Sequence, residues 1–140
     1  MPDAVTLRRR IANWPVKRLL RLGVPIPNTY LMTVIGRKSG ERHTIPLTLV
    51  EYDGHRHLVG TRGEVNWVKN VRAAGQITLS RGREYEILPV TELEPEQAAP
   101  VIRKFTNKVP FSGRIMNVSP DAPIDEFVQA ARRHPVFRLG

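Results

Sequence analysis

The dipeptide Asp53-Gly54 constrains this chain most, because an Asp-Gly pair readily takes the left-handed backbone conformations that a two-residue hairpin turn demands. Two β-favouring runs flank it, 44–52 and 55–61, the second centred on Leu58-Val59. The turn therefore predicts antiparallel neighbours. Upstream, Thr29–Ile35 offers Thr29, Tyr30, Val34 and Ile35 to a pleated surface, and Gly36 ends the run. The segment Gly36-Arg37-Lys38-Ser39-Gly40-Glu41-Arg42, bracketed by glycines, joins it to 44–52 as another hairpin. Downstream, 76–80 and 83–90 surround Arg81-Gly82, a two-residue loop compatible with a further hairpin.

Helical spacing appears between and after these runs. Val65, Val68 and Val71 or Arg72 predict a short helix over 64–74, stopped by Gly75. Pro95 at a first helical position, with Ala98, Ile102 and Phe105, predicts a helix over 95–107. Glu92, Glu94 and Glu96 look like its acidic entry. Ile124, Phe127, Val128 and Ala131 predict a last helix over 123–133, ended by Pro135, with 136–139 as a closing strand. Five or six short strands with a single helical segment between them in the middle give an α+β chain built on a small antiparallel barrel, and exclude a parallel sheet. With 140 residues, 1–140 reads as one domain.

The chain has no cysteine, which excludes disulfides, thiolate metal sites and a thiol nucleophile. Redox chemistry, if present, must come from a bound cofactor. No apolar run of membrane-spanning length and no secretory signal occur, so a cytoplasmic protein is expected.

The net charge of +9 asks for an anionic partner. More than half of that excess falls on Arg8, Arg9, Arg10, Lys17, Arg18 and Arg21, opposed by Asp3 alone. Leu7, Ile11 and Trp14, then Val16, Leu19 and Leu20 after Pro15, make 1–22 a basic amphipathic helical segment broken at the proline. Two uses fit it. It either packs on its own domain with solvated cations or makes peripheral contact with the inner face of the cell membrane. Nucleic acid is not an expected partner, since Tyr30, Tyr52 and Tyr85 are not interleaved with the basic residues as a stacking platform requires.

Two segments carry candidate chemistry. In the 36–42 hairpin, glycines permit a sharp turn while Arg37, Lys38 and Arg42 supply charge and Ser39 a hydroxyl, a set suited to phosphate or carboxylate. The same pattern also describes a solvated hairpin tip, and it lacks the Walker spacing of nucleoside triphosphate sites. In the second segment, Trp67 and Asn70 share a helix face behind Thr61-Arg62-Gly63. They either offer an aromatic wall and an amide to a ring, or serve as a core residue and a backbone cap. His55 and His57 share a strand face, but no metal site is expected beside the turn. Phe111, Ile115 and Met116 read as core or as the lining of an apolar pocket.

Taken together, Gly36-Arg37-Lys38-Ser39-Gly40 with Arg42, Thr44-Ile45-Pro46-Leu47, Asp53-Gly54 and the block from Asn66-Trp67 through Asn70 to Ala73 resemble the deazaflavin (F420)-dependent nitroreductase family. The resemblance covers roughly 30–90. It implies a small split antiparallel β-barrel, FMN-binding-like, with flanking helices. It also implies a reductase that passes a hydride from reduced 8-hydroxy-5-deazaflavin coenzyme F420 to a hydrophobic acceptor, a quinone, enone or nitro compound. By the same resemblance, Arg37, Lys38, Ser39 and Arg42 match the tail-binding block, Thr44 and Pro46 the strand beside the ring, and Thr61, Arg62, Gly63, Trp67 and Asn70 the turn and helix start near it. The tyrosines that line the nitroreductases' substrate pocket are matched here by Phe105, Phe111 and Ser112. A non-enzymatic fatty-acid or anionic-lipid binder of the same fold is the alternative, and exposed barrel edges fit a homodimer.

Overall fold

The computed structural model describes residues 29–140; the amphipathic segment expected over 1–22 lies outside them. Seven strands and four helices follow in the order β1 Thr29–Ile35, β2 Arg42–Thr48, β3 Val50–Tyr52, β4 His55–Val59, α1 Asn66–Ala74, β5 Gln76–Arg81, β6 Glu84–Glu92, α2 Pro95–Lys108, α3 Ser112–Met116, α4 Ile124–Arg133 and β7 Val136–Leu139. Their contacts gather into two units, whose described parts are 29–49 with 69–90, and 50–68 with 91–140.

In the first unit, β1 lies between β2 and β5, antiparallel to both, and β5 pairs with β6. A strand with partners on each side and cover on each face should be apolar throughout. Accordingly, Leu31, Met32 and Val34 are all buried. Thr33, buried among them, satisfies its hydroxyl on Thr44 Oγ1, its cross-strand neighbour on β2, at 2.7 Å. The β5–β6 turn falls on Gly82-Arg83, one residue later than expected, because Arg81 still pairs with Glu84. Gly82, at φ 61°, supplies the positive φ that a type II′ turn needs at its first position.

In the second unit, β4 pairs with both β3 and β7. Asp53 and Gly54, at φ 52° and 77°, form the expected hairpin turn between β3 and β4. The core unites Val50 and Val59 with Ala98, Ile102, Phe105, Met116, Phe127 and Val136. Phe127 is fully buried, with the Arg103 guanidinium 5.4 Å from its ring centroid. Helix α2 starts at Pro95 as expected, and Gln97 Oε1 accepts from the Glu94 backbone N–H at 3.4 Å.

Other boundaries need correction. The run expected as a single strand over 44–52 breaks at Leu49, because β2 takes β1 as its partner while β3 takes β4. The strand expected over 55–61 stops at Val59. Gly60 is drawn off by the 134–135 segment, its N–H donating to Pro135 O at 2.7 Å and its carbonyl accepting from His134 Nδ1 at 2.9 Å. The α1 helix begins at Asn66, since 61–65 form turns in which Gly63 N–H donates to Gly60 O and Val65 N–H to Gly63 O. The short helix α3 was not expected at all.

Candidate functional site

The basic hairpin is a built loop. Gly36 N–H donates to Glu41 O at 2.7 Å and Gly40 N–H to Gly36 O at 3.0 Å, closing the chain between β1 and β2. Gly40 accepts the left-handed φ of 72° that closure needs. Gly36 lets two side chains close over it. A Cβ there would stand 2.7 Å from His43 Nε2 and 2.9 Å from Ser39 Oγ. Ser39 Oγ also accepts from the Glu41 N–H at 3.1 Å, so the hydroxyl oxygen braces the turn.

The loop is held from α1. Asn70, 6% exposed, uses its Oδ1 to accept both the Arg37 backbone N–H at 3.0 Å and the Arg37 Nη1–H at 2.7 Å. Neither sequence expectation for Asn70, an amide beside a ring or a cap on nearby backbone, included this partner. Its partner lies 33 residues earlier in the chain. The two bonds fix where the hairpin begins and which way one guanidinium leans.

Beside this contact lies a cleft of about 450 Å³. Arg37 and Arg42 contribute the cations of its wall, Thr33, Thr78 and Gln76 polar groups, and Ile35, Ala73, Ala74 and Ile77 apolar surface. Of the expected site residues, Arg37, Arg42 and Asn70 are thus brought together at or beside one cleft. Lys38 and Ser39 are exposed on the same loop outside its lining. Thr44 is buried with its hydroxyl turned to Thr33, and Pro46 sits opposite Leu31 in the β1–β2 ladder. Gln76 and Thr78 were missed, although their alternate spacing on a strand puts both side chains on one face.

The remaining expected residues belong to the second unit, except that α1 itself runs across the division. Thr61 and Gly63 are half-buried and Arg62 is exposed. Gly63 has φ 81°, and a Cβ on it would stand 3.2 Å from Arg133 O, so glycine is needed there for conformation and for space. Trp67 is half-buried on the first turn of α1. Phe105 and Ser112 are buried, which leaves Phe111 as the accessible member of that trio. Among the described residues no group of three or more metal-ligating side chains occurs, and no helix is long and apolar enough to cross a membrane.

A cleft with two guanidiniums and neutral donors, beside a loop that carries one further cation, Lys38, is chemically suited to phosphate or carboxylate groups. The antiparallel strands of each unit, with their helices, give an α+β fold. The family model described as F420H(2)-dependent quinone reductase matches residues 7–126, and the chain belongs to that family. It is therefore an oxidoreductase using coenzyme F420.

Solved structures agree on the fold. One described as an F420-H2 dependent reductase is 24% identical with a TM-score of 0.57, over 81% of this chain and 94% of that one. One described as a domain-swapped dimer is 21% identical with a TM-score of 0.61 over the whole of both chains. A Clostridium acetobutylicum protein of the pyridoxinephosphate oxidase family is 9% identical with a TM-score of 0.54, over 81% of this chain and 74% of that one. No curated protein matches the chain.

Proposed function

We propose that this reductase uses reduced F420 to reduce a quinone, with enones and nitro compounds as further hydrophobic acceptors. The cleft at Arg37 and Arg42, with Arg37 fixed by Asn70, is the observation that carries this reading. The bound coenzyme supplies the hydride from its deazaflavin ring, so the protein needs no catalytic dyad of its own.

The residues then divide the work of positioning. Arg37 and Arg42 face the acidic tail, while Lys38 and Ser39 meet it from the exposed side of the loop. Asn70 holds Arg37 in place before the coenzyme arrives, which lowers the ordering cost of binding. In this reading Thr44 and Pro46 of β2 meet the ring, and Thr61, Arg62, Gly63 and Trp67 are further coenzyme-binding residues, Trp67 as an apolar wall that displaces water. The quinone assignment draws on the family description.

In the same proposal 1–140 acts as one domain, and 1–22 makes peripheral contact with the inner face of the cell membrane, where hydrophobic quinones reside. The protein is then cytoplasmic, and a homodimer is consistent with the dimer described for one structural relative. Turnover assays with reduced F420 test the acceptor. Oxidation of the coenzyme should accelerate with a water-soluble quinone more than with a nitroimidazole. Equal or greater acceleration by the nitro compound overturns the quinone reading.

A further inference from the structure

Helix α3 exposes the wrong side chains for a helix facing water. Its inward face is complete, with Ser112, Gly113 and Met116 buried. Its outward face nevertheless carries Phe111, 73% exposed, and Ile115, 53% exposed. The two are a helical turn apart, with Ile115 N–H donating to Phe111 O at 3.2 Å, so they form one apolar tip.

Phe111 reaches that position at a cost. Its backbone sits at φ 66° and ψ −5°, a left-handed conformation that bulky side chains rarely adopt. Asn117 repeats the conformation at the other end of the helix, at φ 56° and ψ 48°. Two left-handed residues thus frame five helical ones. Strain of this kind persists where surrounding structure enforces it, and it gathers at functional places. Pro110, also exposed, precedes the tip.

Charge identifies the partner. Between Glu96 and Asp121 the chain contains Arg103, Lys104, Lys108 and Arg114 and no carboxylate. Arg114 and Phe111 line one cleft of about 540 Å³, with Glu126 also on its wall. Lys108 is exposed three residues before Phe111. An aromatic residue and an isoleucine at a tip flanked by long cationic side chains match the layering of a bilayer surface, apolar groups below and anionic headgroups level with the cations. A second copy of the chain would bring the same cations against them, which like-charge repulsion opposes.

From this arrangement we infer that the Phe111–Ile115 tip docks on an anionic lipid bilayer, with Phe111 and Ile115 entering the headgroup boundary and Lys108 and Arg114 pairing with lipid phosphates. This contact is separate from any made by 1–22, and it does not rest on the identity of the acceptor.

Absence of native cysteine makes the test clean. Phe111→Cys in the full chain carries an environment-sensitive fluorophore, with Glu51→Cys, at an exposed position of β3, as the control. On adding vesicles containing phosphatidylglycerol, the emission at position 111 should shift to the blue while that at position 51 stays put. Pure phosphatidylcholine vesicles should give a much smaller shift. Arg114→Gln, labelled at position 111, should weaken the vesicle affinity by about fivefold, the contribution of one basic residue near an anionic surface. Vesicle binding with no change at position 111 assigns the contact to another segment and overturns the inference. An absence of vesicle binding overturns it too, as does a shift that follows protein concentration without lipid, which points to a second copy.

Discussion

Asn70 Oδ1 receives both the backbone N–H and a guanidinium N–H of Arg37, tying helix α1 to the first residue after Gly36 in the basic hairpin. One buried carbonyl therefore sets the backbone path and the guanidinium orientation together. Asn70→Ala should destabilise the fold by about 1–3 kcal/mol, because the amide N–H of Arg37 loses its acceptor in a partly buried place. The same variant should bind F420 more weakly even where fully folded. Asn70→Asp keeps both acceptor bonds but places a negative charge beside the proposed tail site. Thermal melts should show it more stable than Asn70→Ala, while coenzyme titration should show it binding no better.

Gly63 tests the turn after β4. Any side chain there must take φ 81° and meet Arg133 O at 3.2 Å. Gly63→Ala should lose about 1–2 kcal/mol from the left-handed conformation alone, read by urea unfolding. An unchanged midpoint would mean that the turn relaxes freely.

His57 gives the second unit an acid limit. It is 3% exposed, its Nδ1 has no hydrogen-bond partner, and it faces Val50 across one strand pair and Arg138 across the other. Burial pushes its pKa below the ordinary 6.5, partly offset by hydrogen bonding to the backbone of Val50 and His55 and reinforced a little by the charges of His55 and Arg138. The unfolded chain then binds the proton more readily than the folded one. Stability from the neutral imidazole is complete above 6.5 and is lost as pH falls from there through the lowered folded value. His57→Leu should flatten this part of the stability profile. The difference between the two profiles, measured by urea unfolding from pH 7.5 down to about 5, isolates the histidine from the carboxylates.

Phe127 anchors α4 in the core and carries Arg103 on its ring. Phe127→Ala should cost about 3–5 kcal/mol, the usual range for emptying a large aromatic site. Arg103→Ala should cost much less, since the guanidinium sits at an exposed position.

Local chemistry made much of the fold legible. Asp53-Gly54 turns where its conformational preference dictates, Pro95 opens α2, and Gly75, at φ 73°, closes α1. Sequence pattern could not show where a continuous β-favouring run changes partner, which is why Leu49 was read through. Nor could it show that Gly60 is pulled from its strand by His134, 74 residues away. Helix α3 is too short for a helical period to emerge. At the site, the cations of the hairpin were legible as charge, but the Asn70 bonds that orient Arg37 depend on tertiary placement, and Gln76 and Thr78 look like ordinary strand residues.

In the proposed function the 36–42 hairpin and its cleft hold the acidic tail of F420. This is tested most directly by equilibrium titration of the coenzyme, read by its own fluorescence, against the wild-type chain and the Arg37→Ala and Arg42→Ala variants. Binding should be saturable, and each substitution should weaken it by about 1.5–3 kcal/mol, the range for a lost charge-assisted hydrogen bond, in variants that melt like the wild type. Saturable binding with the same affinity in all three proteins would contradict that role of the hairpin.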